Sequence, residues 1–180
     1  MGHPRLTAAP IEVRARRDDD RDALLALAAR LRAVEGYPPD SARFHDHPRL
    51  AGWVATAGDE LVGHIALHER SAPPVMELAV DVTGLAIDEL AVLARLFVAI
   101  EGRRHGLGRR LVDIAVADAH ARGRQPILDV NELFEPAIAL YEACGWTRIG
   151  DVNFSFRDEA QLIEIHSYVY LGPPAASRGS

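Results

Sequence analysis

One stretch, RLFVAIEGRRHGLGRRLVDIAV from Arg95 to Val116, narrows the choice of fold more than any other part of the chain. A β-rich run ends in a loop holding Arg103, Gly106 and Gly108, and a helical pattern begins at once. The helix predicted over Leu107 to Arg122 sets Leu111, Ile114, Ala115 and Ala119 on one face and ends at Gly123. A strand that turns straight into a helix belongs to a sheet with helices packed on it. The first N–H groups of a helix lack intrahelical partners, and the helix dipole adds positive potential there. Glycines let a phosphate approach the backbone closely. Arg103, Arg104, Arg109 and Arg110 add charge that can fork onto phosphate oxygens. The segment reads as a diphosphate cradle.

Two nucleotide motifs fit it poorly. A P-loop closes on Gly-Lys-Ser or Gly-Lys-Thr, whereas Arg109 and Arg110 follow Gly108. A dinucleotide fingerprint needs a third glycine, and Leu111 stands there.

Elsewhere, short β-rich runs alternate with amphipathic helical ones, the pattern of a mixed α/β sheet. Ile11 to Arg16 suits a first strand. Asp18, Asp19 and Asp20 open a helix that carries Leu24, Leu27, Ala28 and Leu31 and stops at Gly36 and Pro38-Pro39. Trp53 to Thr56 and Leu61 to His68 form a hairpin around Ala57-Gly58-Asp59. Ser71 to Leu85, with Pro73, Pro74 and Gly84, reads as a strand followed by a loop. Strands are predicted over Glu89 to Val98, Pro126 to Val130, Trp146 to Phe156 and Leu162 to Leu171, with a short helix from Pro136 to Ala143. Residues 1–10 and 172–180 are expected to be flexible ends around a single domain over 11–171.

The sequence Arg103-Arg104-His105-Gly106-Leu107-Gly108 satisfies [Arg/Gln]-x-x-Gly-x-[Gly/Ala], and Leu96-Phe97-Val98 precedes it as an apolar strand end. Further on, ILDVNELFEPAIALYEACGW places Ala137, Tyr141, Gly145 and Trp146 in the register of a second motif. On these two linked motifs the chain resembles the GNAT superfamily of N-acetyltransferases, closely over about residues 89 to 150. The resemblance implies an α/β (α+β) fold with a central mixed, mostly antiparallel sheet flanked by helices. It implies transfer of an acetyl group from acetyl-CoA to a primary amine by direct attack in a ternary complex.

Residue by residue, it implies that the backbone amides of Arg104, His105, Gly106, Leu107, Gly108 and Arg109, next to Arg103, hold the pyrophosphate of coenzyme A. The main chain of Leu96, Phe97 and Val98 would pair with the pantetheine arm, and the Val98 amide would face the thioester carbonyl. Tyr141 would lie near the sulfur as acid, against the alternative that it is packed core. Ala137, on the later helix, would contact the cofactor. Asn131 would supply its amide to the cofactor in place of an asparagine that the family often places where this chain has Phe134. Ala94 occupies the place of a carboxylate used by some members, which leaves Glu89 or Asp88 as substitutes for the base. Ile100 stands where proline is common. After the first helix, Glu35, Tyr37 and Asp40 are candidates to recognise a cationic acceptor, or a solvated loop.

A noncatalytic acyl-CoA-binding sensor or interaction module of the same fold stays open, as does transfer of a longer acyl chain or to oxygen. A homodimer built on the last strands, as in many family members, is open alongside a monomer. The net charge of −6, with both signs interspersed, argues against nonspecific nucleic-acid binding. Leu85 to Ile100 is broken by Asp88, Glu89 and Arg95, too charged to span a membrane. The single cysteine, Cys144, excludes an internal disulfide and reads as inert packing rather than a nucleophile. With no secretory signal in MGHPRLTAAP, a cytoplasmic location is expected. No metal is expected, because His45-Asp46-His47 and the other histidines lack a ligand spacing.

Overall fold

The computed structural model describes residues 9–36, 48–103, 105–158 and 161–176. Strand β1 (Ile11–Ala15) leads through a single 3-10 turn (Asp18–Asp20) to helix α1 (Arg21–Glu35). Strands β2 (Arg49–Ala57) and β3 (Glu60–His68) follow, then α2 (Pro73–Thr83), a 3-10 turn (Ile87–Glu89) and β4 (Leu90–Val98). A further 3-10 turn (Ile100–Gly102) precedes α3 (Leu107–Ala121), β5 (Gln125–Asn131), α4 (Glu135–Ala143), β6 (Thr147–Asp158) and β7 (Gln161–Leu171). The sheet has seven strands in the order β1-β2-β3-β4-β5-β7-β6. Pairing is parallel between β4 and β5 and antiparallel in β1–β2, β5–β7 and β6–β7. The mixed, mostly antiparallel sheet with flanking helices is thus the architecture expected from the sequence.

Two compact units divide the chain: one holds the residues up to Leu67 with Arg95–Ala115, the other His68–Ala94 with Val116 onward. In the first, β1 pairs with β2 from Ile11↔Ala57 to Ala15↔Trp53. Leu24, Leu27, Ala28 and Leu31, spaced along one face of α1, are buried, and so are Leu107, Leu111, Val112 and Ala115 of α3. Gly63 makes that packing possible: a Cβ there would stand 3.2 Å from the Leu111 side chain and 3.4 Å from Ala55. Asp20, itself buried, ties β1 to the start of α1. Arg14 donates to both its oxygens at 2.6 and 2.7 Å, and the Arg17 N–H adds a third bond at 2.7 Å.

In the second unit, Met76 and Ala79 of α2 pack with Leu90, Val92 and Ile127. Each large apolar side chain so buried contributes about 1.5–3 kcal/mol. The helix α2 corrects the strand-and-loop expectation for Ser71–Leu85. Pro73 and Pro74 occupy its first two positions, where a missing N–H costs nothing. Gly84 ends it at φ 71°, donating its N–H to Val80 O at 2.8 Å. Residues that look like breakers in the sequence are the two punctuation marks of a helix.

Candidate active site

In the first unit, the corner from β4 to α3 is bent and pinned. Among the described residues Arg95 is the one non-glycine with positive φ, 58°, in the middle of a strand. Its carbonyl accepts the Nδ1–H of His64 at 2.8 Å, which fixes that proton on Nδ1. His64, fully buried in β3, also stacks on Phe97 with ring centroids 5.2 Å apart. Past the bend, Phe97 is buried, Leu96 is half-buried and Val98 is 9% exposed. The Ala99 N–H then bonds Val62 O at 2.8 Å.

Arg103 turns back from the loop rather than outward. Its Nε donates to Val98 O at 3.1 Å, and its two terminal nitrogens grip the Glu35 carboxylate at 2.5 and 2.8 Å. The side chain expected in a phosphate cradle therefore braces the strand end, and Glu35, a candidate for acceptor recognition, is the anchor of that brace. Gly106 takes φ 71°, and a Cβ on it would meet nothing within 4 Å. The helix starts with Arg110 N bonded to Gly106 O at 3.0 Å, so the N–H groups of Leu107, Gly108 and Arg109 have no acceptor in the helix. His105 and Arg109 are exposed, Leu107 is buried, and exposed Arg110 donates to Ile11 O at 3.1 Å. First-turn amides without an acceptor inside the helix, an open glycine and an exposed arginine suit the pyrophosphate of coenzyme A. Arg104, Tyr37, Asp40 and His45-Asp46-His47 lie outside the described residues.

The second unit contains the β5–α4 corner. Asn131 closes it, its side-chain oxygen accepting the Leu133 N–H at 2.9 Å and its carbonyl the Phe134 N–H at 3.0 Å. Phe134 takes the N-cap place and accepts the Ala137 N–H at 3.0 Å. One turn on, Tyr141 is 8% exposed with its ring 5.9 Å from that of Trp146. Cys144 is half-buried at the end of α4. Glu89 is exposed and caps the turn before β4, accepting the Ala86 N–H at 2.8 Å.

A carboxylate that the sequence reading passed over lies in β5. The β4–β5 ladder runs Leu90↔Gln125, Ala91↔Pro126, Val92↔Ile127, and both strands continue beyond it. Ile127 faces α2, so strand alternation puts Asp129 on the same side, just past the point where pairing stops. Ser71, two residues before α2, donates its hydroxyl to Asp129 Oδ1 at 2.7 Å. Ser71 also lines a cleft of about 720 Å³ beside α2 with Arg70, Met76, Glu77 and Val80. The signal was available: Asp129 is the one charge in the apolar run Ile127–Val130, as His64 is the one ionisable group in Leu61–Leu67.

Among the described residues no group of three or more His, Cys, Asp or Glu side chains is placed to hold a metal ion. Nor is any described helix long and apolar enough to cross a membrane.

Comparison with known proteins fits this geometry. Residues 19–146 match the family described as Acetyltransferase (GNAT). A rat (Rattus norvegicus) protein, N-acetyltransferase family 8 member 3, is 28% identical over 105 residues, covering 58% of this chain and 41% of that protein's length. The backbone superposes on NAA60 from Arabidopsis thaliana, solved with acetyl-CoA, at a TM-score of 0.67 with 18% identity, over 90% of this chain and 97% of that one. It superposes on the ribosomal-protein-S18-alanine N-acetyltransferase of Escherichia coli at 0.66 with 16% identity, over 95% and 99% of the two chains. At such identities the structural likeness speaks for the fold, and the family match over more than two thirds of the chain speaks for descent. The chain belongs to the acetyltransferase (GNAT) family.

Proposed function

We propose that this protein transfers an acetyl group from acetyl-CoA to a primary amine by direct attack within a ternary complex. The observation that carries the reading is the β4–α3 corner, where first-turn amides without an acceptor inside the helix and the open Gly106 follow a bent strand end. Family membership and the acetyl-CoA complex of the NAA60 structure support it.

Acetyl-CoA, when bound, supplies an activated thioester. The amides of Arg104 to Arg109 hold its pyrophosphate, and the backbone of Leu96 to Val98 carries the pantetheine arm. The Val98 N–H stabilises negative charge developing on the thioester oxygen, a contribution of about 3 kcal/mol for one such donor. The amine nitrogen bonds to the carbonyl carbon as the carbon–sulfur bond breaks. The thiolate leaves against the Tyr141 hydroxyl. With an ordinary pKa of about 10 against about 8.5 for a thiol, tyrosine acts through a hydrogen bond that strengthens as charge grows. The nitrogen gives up its proton to Asp129, directly or through Ser71 or water. This carboxylate also weakens the alternative of a noncatalytic acyl-CoA sensor, which rested on the want of a base.

The test is calorimetric titration with acetyl-CoA beside a Gly108→Trp variant that fills the cradle. Micromolar binding in the parent, lost in the variant, is expected and opens an amine screen. Absence of binding in the parent would overturn the reading.

A further inference from the structure

We propose that His64 is a positioning residue: its Nδ1–H, bonded to the Arg95 carbonyl, holds the bend in β4 and so aims the Leu96–Val98 backbone. The inference rests on the proposed function, in which that backbone carries the acyl donor.

Three observations converge on it. An arginine in the left-handed region costs about 1–2 kcal/mol, and such a conformation persists only where its surroundings enforce it. Arg95 holds φ 58° inside a strand, one residue before the segment that would meet the ligand. Second, a buried imidazole is costly in an apolar strand unless it is hydrogen-bonded. His64 is fully buried between Gly63 and Ile65, where valine or leucine would suit packing alone, and its polar contact at 2.8 Å goes to the strained residue itself. Third, the pin does not act alone. His64 stacks on Phe97, Val62 O receives the Ala99 N–H, and Arg103 holds Val98 O. The segment is thus clamped at both ends, and a bend of this kind re-aims every N–H and C=O after it. All of these contacts belong to the first unit.

Two variants separate the donor from the ring. His64→Asn keeps an N–H donor close to the position of Nδ1 and loses the stack; His64→Phe keeps the stack and loses the donor. Amide proton–nitrogen resonances and hydrogen exchange of Leu96, Phe97 and Val98 are read in the ligand-free protein, and acetyl-CoA affinity by calorimetry. His64→Asn is expected to hold these resonances and to bind within about threefold of the parent. His64→Phe is expected to shift them, speed their exchange and weaken binding about tenfold, the loss of roughly one hydrogen bond. Arg95→Gly removes the strain at positive φ, so adding it to His64→Phe should recover most of the affinity. Should His64→Phe not fold, His64→Leu takes its place in the same comparison. Unmoved Leu96–Val98 amides in the donor-free variant would overturn the proposal, as would equal losses in the Asn and Phe variants. If the parent itself binds no acetyl-CoA, the proposed function fails, and the amide readout alone still decides whether His64 holds the bend.

Discussion

Two corners, one in each unit, turn a strand into a helix, and they lean on different supports. The β4–α3 corner is braced from far along the chain: Glu35 grips Arg103, His64 holds Arg95 and Val62 receives Ala99. The β5–α4 turn closes mainly on its own neighbours, Asn131 with Leu133 and Phe134, and Phe134 with Ala137, with a longer tie from Glu132 to His166. On the proposed function the first-turn amides of α3 are kept for a ligand, so that corner is supported by other groups, near and far along the chain. A turn that has only to launch Tyr141 can spend its own N–H groups.

On the proposed mechanism the groups that handle protons belong to the second unit and the cofactor cradle to the first, and the largest effect should appear there. Tyr141→Phe and Asp129→Asn, both in the second unit, are each expected to lower kcat about 100-fold, the lower range for acid–base groups. Acetyl-CoA affinity should be unchanged, because neither side chain belongs to the cradle. Steady-state kinetics beside calorimetry checks this. A loss of affinity equal to the loss of turnover would erase the division, and full turnover in Tyr141→Phe would withdraw its role.

A smaller pair of substitutions probes the supports themselves. Arg103→Ala removes the brace on Val98 O and should weaken acetyl-CoA binding about tenfold, the value of a charged hydrogen bond. Its cost in stability stays within about 1 kcal/mol, because the ion pair with Glu35 is largely exposed. Asn131→Ala removes the side-chain bond to Leu133 and should cost about 0.5–1.5 kcal/mol in denaturant unfolding with affinity intact. If Asn131→Ala weakened binding more than Arg103→Ala, the local corner would be the one that shapes the ligand site.

The same difference explains what the sequence could reveal. The strand end Leu96-Phe97-Val98, the glycines and the Ala137–Tyr141 helix are local patterns, and each became a local element in place. The sheet class followed from them. The α2 helix was missed because proline and glycine carry different meanings at helix ends and helix middles. The partner of Arg103 was not legible for another reason. A positive charge beside a glycine loop suits a phosphate, and nothing local says that a carboxylate 68 residues earlier will claim it. His64 and Asp129 were visible as single polar residues in apolar strands, yet their partners, Arg95 and Ser71, are neighbours only after folding.

The smallest predicted effect concerns ties of the second corner that titrate. Glu132, next to Asn131, accepts from His166 Nδ1 at 2.7 Å, while Nε2 of the same ring faces Asp151 at 2.9 Å. A neutral imidazole has one N–H, so only the charged ring can donate to both carboxylates. The bond to Asp151, then that to Glu132, raises the His166 pKa above its ordinary 6.5, and Asp151 is correspondingly lowered from 3.8. A raised histidine pKa gives stability that is complete below about pH 6.5 and lost as pH rises through the folded-state value. A lowered carboxylate pKa gives stability present above about pH 4 and lost as pH falls through its folded-state value. The excess Tm of the parent over His166→Gln should therefore be widest between about pH 4 and 6.5 and close on the alkaline side. It should also shrink with added salt, since the cluster is exposed. The excess over Arg103→Ala should stay level from about pH 6 to 9, because arginine keeps its charge there. A His166 gap that is flat across the same range would mean that the imidazole does not tie Glu132 to Asp151 through its charge.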